Sequence, residues 1–187
     1  MTGSMVPCKN VMPKFTLVIG GARSGKSSFA EGLAIATNRP RRYIATAQAW
    51  DAEMQARIAQ HKDQRGEAWI TVEAPFDLCG ALADAPPSEI VLVDCATLWL
   101  SNHLLAEVNL DAEAAKLLGA IADCAAPVVV VSNEVGWSIV PDNALARAFR
   151  DAQGRLNQRM AAQAGLVVAV MAGLPIVLKG QLPETTA

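Results

Sequence analysis

Gly20, Gly21, Ala22, Arg23, Ser24, Gly25, Lys26 and Ser27 follow the pattern G-x-x-x-x-G-K-[ST]. An apolar run, Phe15 to Ile19, precedes them and an alanine-rich stretch, Ser28 to Ala36, follows. Strand, glycine loop and helix in that order make a phosphate-binding loop. Its backbone N–H groups turn inward around phosphate oxygens, and the helix N-terminus adds a favourable field. Lys26 is placed to reach β- and γ-phosphates, and the Ser27 hydroxyl to help hold Mg²⁺. The chain is therefore expected to bind a nucleoside triphosphate.

Other residues with chemical potential sit at the ends of apolar runs. Asp94 closes Ile90 to Val93, the arrangement in which a carboxylate downstream of a phosphate loop holds Mg²⁺. Thr46 closes a second run and suits either a phosphate or metal contact or a helix cap. Ser132, Asn133, Glu134, Val135 and Gly136 follow a run of valines and suit a substrate loop. His61 has Arg57 four residues before it and Arg65 four after, so a helix puts all three on one side. Two nearby cations favour neutral, nucleophilic imidazole and would stabilise a phosphoryl group placed on it. A lone helical histidine is also a common structural residue, the reading that fits His103. Trp50, Trp69, Trp99 and Trp137 suit core packing or stacking on a flat ligand. Arg147 and Arg150 lie near a helix start, within reach of an anionic substrate or on a solvated face.

These positions need a scaffold. Strand-like runs occur at Arg42 to Thr46, Trp69 to Val72, Ile90 to Val93, Val128 to Ser132 and Leu166 to Met171. Ile176 to Leu178 follows Gly173 and Pro175 and suits a terminal hairpin. Helical patterns fill the gaps at Asp51 to Gln64, Pro75 to Ala85, Thr97 to Val108, Asp111 to Ala125 and Asp142 to Ala164. In the last, Leu145, Phe149, Ala152, Leu156 and Met160 share a face, and Asp142 is a candidate cap. Continuous apolar strands alternating with helices predict an α/β fold with a mostly parallel sheet, covered on both faces. Ligands on such sheets bind beyond the carboxyl ends of the strands.

The 187 residues fit one domain over 15–187 after a polar tail over 1–14. Hydrophobic residues make up 52%, which excludes a disordered chain. A net charge of −2 gives no bulk attraction to nucleic acid. No apolar run reaches the roughly 20 residues of a membrane span. The start of the chain lacks a signal-peptide core, so a cytoplasmic protein is expected. Cys8, Cys79, Cys95 and Cys124 have neither disulfide-framework nor zinc spacing and are expected to be reduced.

Taken in order, these motifs resemble one family: the bifunctional adenosylcobinamide kinase / adenosylcobinamide-phosphate guanylyltransferases of cobalamin synthesis. The resemblance rests on Gly20 to Ser27, Tyr43 to Thr46, Asp51 to Arg65, Trp69 to Pro75, Val91 to Cys95, Ser132 to Gly136, Ile139 to Asn143, Arg147 to Asp151 and Gly154 to Gln158. It implies a phosphate-loop, RecA-like fold and two reactions. ATP or GTP phosphorylates adenosylcobinamide, and GMP then passes from GTP to adenosylcobinamide phosphate through a covalent GMP–histidine. His61 matches that nucleophile. The nucleotide site implied by the resemblance comprises Gly20 to Ser27, Ala45, Thr46, Ala47, Lys62, Asp63, Gln64, Arg65, Glu73 and Asp94. It further implies a divalent cation with the nucleotide, no tightly bound organic cofactor, and a homotrimer. The loop alone also suits a kinase for another small molecule or a nucleotide-dependent switch. The His61–Arg57–Arg65 helix separates the bifunctional enzyme from the plain kinase, and a small-molecule acceptor separates both from the switch; a guanylyltransferase without the kinase activity is a further alternative within the family.

Overall fold

In the computed structural model the described residues are 12–48 and 68–183. The helix expected at Asp51 to Gln64 lies outside them, and with it Trp50, Arg57, His61, Lys62, Asp63, Gln64 and Arg65. The strands are β1 (Phe15–Gly20), β2 (Arg41–Ala45), β3 (Trp69–Glu73), β4 (Ile90–Asp94), β5 (Val128–Asn133), β6 (Leu166–Met171) and β7 (Leu174–Lys179). The helices are α1 (Lys26–Ala36), α2 (Leu78–Ala83), α3 (Ala96–Leu105), α4 (Leu110–Asp123) and α5 (Ala144–Gln163).

All seven strands form one sheet in the order β3-β2-β4-β5-β1-β6-β7. Six run parallel, and β7 returns antiparallel to β6 as the hairpin expected from Gly173 and Pro175. The central strands are apolar on both faces because both are covered. On one face Val18, Leu92, Val129, Val131 and Val168 pack with Ala30 and Ala34 of α1. On the other Leu17, Val91, Val93 and Val130 pack with Leu82, Leu100, Leu117, Ile121, Leu156 and Met160 from the remaining helices. Edge strand β7 leaves all six of its residues exposed.

Local chemistry sets the helix ends, and two details depart from the sequence reading. The cap of α5 is Asn143, whose side chain accepts from the Ala146 amide at 2.7 Å; Asp142 is not the cap. Leu145 is exposed rather than on the buried face, because that face is Ala152, Gln153, Leu156, Asn157 and Met160. α2 is also shorter than the span from Pro75 to Ala85, since Asp77 caps it by accepting from Gly80 N–H.

Candidate nucleotide site

The loop after β1 wraps back before α1 begins. Arg23 at φ 56° and Gly25 at φ 92° both take the left-handed conformation. That region is strained for residues with a side chain, and at Gly25 there is the further matter of space. A Cβ there would lie 3.2 Å from the Gly173 Cα. Gly25 caps α1 without a side-chain hydrogen bond. The cap residue thus offers no side-chain oxygen to the first-turn amides of α1, which suits an anion at that end. Lys26 Nζ donates to the Gly21 carbonyl at 3.2 Å, folding the ammonium over the loop.

The sheet register aligns the other candidates. Gly20 lies beside Asn133 across β1 and β5, and the Glu134 amide donates to the Gly20 carbonyl at 3.0 Å. Asp94 lies beside Ala45, and Ala45 beside Glu73, as a row of strand ends on β4, β2 and β3. β5 alone separates the loop strand from the Asp94 strand, a distance of about 10 Å across two strand spacings. Ala45 and Asp94 are half-buried and Glu73 is exposed; Ala47 follows the row, half-buried. Among the described residues the Asp94 carboxylate makes no hydrogen bond or ion pair. Its field is nonetheless visible. The neighbouring Cys95 thiol is pushed up to about 11, first by burial and then by Asp94, while the Leu98 and Thr97 amides and, least, Lys26 pull it down. Lys26 and Asp94 therefore act on the same small region from opposite signs.

No group of three or more His, Cys, Asp and Glu that could hold a metal alone occurs among the described residues. An ion bound with a nucleotide needs fewer protein ligands, since phosphate oxygens and water complete its shell. The Ser27 hydroxyl and the Asp94 carboxylate, without a hydrogen-bond partner among the described residues, are hard oxygen donors of the type Mg²⁺ takes. The donor set fits.

Thr46 is fully buried and serves neither as a helix cap nor through a free hydroxyl. Its Oγ1 donates to the Cys95 carbonyl at 2.7 Å and accepts from the Cys95 amide at 2.8 Å. The Asp94–Cys95 peptide that it borders is cis. Asn102 completes this clamp, its Nδ2 donating to the carbonyls of Thr46 at 3.0 Å and Pro75 at 2.9 Å. A second clamp holds the end of β5. Ser132 Oγ donates to Asn157 Oδ1 at 2.6 Å, and Gln153 Nε2 donates to both, each at 2.9 Å. Asn157 Nδ2 donates to the Asn133 carbonyl at 3.0 Å, and the Asn133 amide donates to Thr97 Oγ1 at 2.7 Å. The Oε1 of Gln153 and the Oδ1 of Asn133 are buried with no partner among the described residues.

Asn102, Thr97, Gln153 and Asn157 were not anticipated. The one signal was polar residues at helical spacing on an otherwise apolar face, Gln153 and Asn157 beside Leu156 and Met160. His103 is structural as expected: it is buried edge-on to Trp99 and Phe76. Trp69 packs against Tyr43, and Trp99 is buried with its indole N–H on the Phe76 carbonyl. Trp137 is exposed. Arg147 braces the preceding loop by donating to the carbonyls of Pro141 and Asp142, and Arg150 pairs with Asp151.

Comparison with known proteins decides the family. The family model described as cobinamide kinase / cobinamide phosphate guanyltransferase matches residues 16–178. The chain belongs to this family. Relatives match over nearly their whole length. One is the bifunctional adenosylcobalamin biosynthesis protein CobP of Pseudomonas aeruginosa, 44% identical over 88% of this chain and 97% of the relative. Another is the bifunctional adenosylcobalamin biosynthesis protein CobU of Escherichia coli, 43% identical over 87% of this chain and 98% of the relative. The Salmonella typhimurium protein of that name is 44% identical over 87% and 98%. Among solved structures, the RadB recombinase superposes with a TM-score of 0.55 at 16% identity, covering 94% of this chain and 86% of that one. That likeness concerns the fold alone, a mostly parallel sheet flanked by helices. No helix among the described residues is long and apolar enough to cross a membrane.

Proposed function

We propose that this chain phosphorylates the aminopropanol hydroxyl of adenosylcobinamide with ATP or GTP, and then transfers GMP from GTP to the new phosphate. The observation that carries this is the family match from residue 16 to 178, which spans the loop, the Asp94 strand and the β5 strand end together. Gly20 to Ser27 cradle the triphosphate. Lys26 spreads charge off the phosphate being attacked, and Ser27 and Asp94 hold the divalent ion. When bound, Mg²⁺ offsets the charge that builds on the triphosphate. Ala45, Thr46, Ala47 and Glu73 line the row beyond Asp94. Lys62, Asp63, Gln64 and Arg65 join the site from the segment that carries His61.

In the guanylyl step, an imidazole nitrogen of His61 attacks the α-phosphorus and the bond to the bridging oxygen breaks, releasing pyrophosphate. An oxygen of adenosylcobinamide phosphate then attacks the same phosphorus, and the N–P bond breaks. Covalent catalysis thus divides one displacement into two. Assembly as a trimer belongs to the same reading and is checked by sedimentation.

The deciding experiment uses Mg²⁺ and GTP labelled at the α- or γ-phosphate. Acid-labile, alkali-stable label retained from α-labelled GTP only, and lost in His61→Ala, is the expected result. Absence of α-label in the wild type, with GTP still bound, overturns the covalent route. Transfer of γ-label to adenosylcobinamide, retained in His61→Ala, tests the kinase half separately.

A further inference from the structure

The phosphate loop touches an element far away in sequence. The hairpin between β6 and β7 turns through Ala172 at φ 51° and Gly173 at φ 80°, the two positive angles of a type I′ turn. The Gly173 amide donates to the Ser24 carbonyl at 2.9 Å. That bond fixes the peptide joining Ser24 to Gly25, immediately before the helix amides that meet phosphate. Two more approaches support it. A Cβ on Gly20 would lie 2.5 Å from the Val170 carbonyl, and one on Gly25 would lie 3.2 Å from the Gly173 Cα. Both ends of the loop are thus pressed against the end of β6 and its turn.

We infer that the β6–β7 turn is a positioning element for the nucleotide, with the Gly173 amide setting the orientation of the Ser24–Gly25 peptide. This rests on the reading that the loop binds a nucleoside triphosphate. The amide holds Ser24 to the turn from outside, so the inward-facing N–H groups of the loop keep their aim. It also explains Gly20 and Gly25 by the hairpin behind them as well as by the phosphate in front.

Gly173 suits a clean test, because a Cβ there meets nothing within 4 Å. Only the backbone angle is at issue. Gly173→Val puts a β-branched residue where φ is positive and pushes the turn off the loop. Gly173→Asn keeps the amide and tolerates left-handed backbone. Gly180→Ala is the control: it strikes the Gly165 carbonyl at the other end of the hairpin and loosens it away from the loop. Calorimetric Kd for Mg-GTP is read beside the nucleotide-free melting temperature.

The expected result is a Kd at least about tenfold weaker in Gly173→Val, as when hydrogen bonds to charged phosphate are misaimed. Gly173→Asn restores affinity toward the wild type, and Gly180→Ala lowers melting while leaving Kd unchanged. If Gly173→Val does not fold, an ester in place of the Ala172–Gly173 amide removes the N–H alone, and the same weakening is expected. Wild-type affinity in Gly173→Val or in the ester overturns the inference, as does equal weakening in Gly180→Ala. Wild-type protein that binds no nucleotide overturns the underlying reading along with it.

Discussion

Two buried polar clamps flank the carboxyl edge of the sheet, and they are built to different standards. The Thr46–Asn102 clamp ties β2, β4 and the chain after β3, and no buried side-chain atom of Thr46 or Asn102 lacks a partner. The Ser132–Gln153–Asn157 clamp ties β5 to α5 but leaves Gln153 Oε1 and Asn133 Oδ1 unpaired. An unpaired buried acceptor costs about 1–3 kcal/mol. The first clamp carries its own weight in stability. The second holds its strand end with part of its bonding capacity unspent. The difference separates a region fixed by complete satisfaction from one fixed by redundancy.

That contrast can be broken or sharpened by mutation. The largest effect is expected beside the first clamp, where Asp94→Asn lowers kcat/KM with Mg²⁺ about 10²-fold, on the scale of other electrostatic stabilisers of transferring groups. Steady-state kinetics in both half-reactions checks this, and a change under threefold removes Asp94 from the metal site. Thr46→Val keeps the shape but leaves the Cys95 amide unpaired, while the Cys95 carbonyl still accepts from the Trp99 amide. It should cost about 2 kcal/mol, roughly a 6 °C fall in melting temperature. Cys95 in the same clamp gives a pH signature. Its thiol moves from 9.0 to about 11, so the folded state holds its proton longer than the unfolded chain does. The stability this contributes is intact below pH 9 and lost as pH rises to about 11, up to roughly 2 kcal/mol. Urea titrations across that window should show a shallower decline in Cys95→Ala than in the wild type. The smallest effect belongs to the second clamp. Gln153→Met removes an unpaired oxygen while Ser132 and Asn157 still bond each other, so the cost should be about 1 kcal/mol or less. A loss equal to that of Thr46→Val would erase the distinction between the clamps.

The sequence made some of this legible and not the rest, for reasons of range. The phosphate loop reads directly because a short stretch carries its own geometry: glycines, Lys26 and a helix start. The strands read well because continuous runs such as Val128 to Val131 have no amphipathic alternative in a covered sheet. Asp94 was legible as the polar end of such a run. Thr46 was ambiguous because its partner, Cys95, lies 49 residues away and is fixed only by β2 pairing with β4. Gln153 and Asn157 were missed because helical periodicity counts apolar positions, and polar residues that satisfy one another break the count. Leu145 was misplaced for the converse reason: its periodicity fits, but α5 has only just begun there and has not reached the sheet.

The contact between Gly173 and Ser24 also bears on how the protein is born. The loop is completed by a turn encoded far downstream of it, so this contact waits for the whole sheet between them to be made. A nascent chain still attached to the ribosome has β1 and the glycines but lacks the support behind them. Full nucleotide affinity therefore waits for the hairpin to be made. A truncated product that stops before the hairpin should keep the loop's sequence and lose its grip.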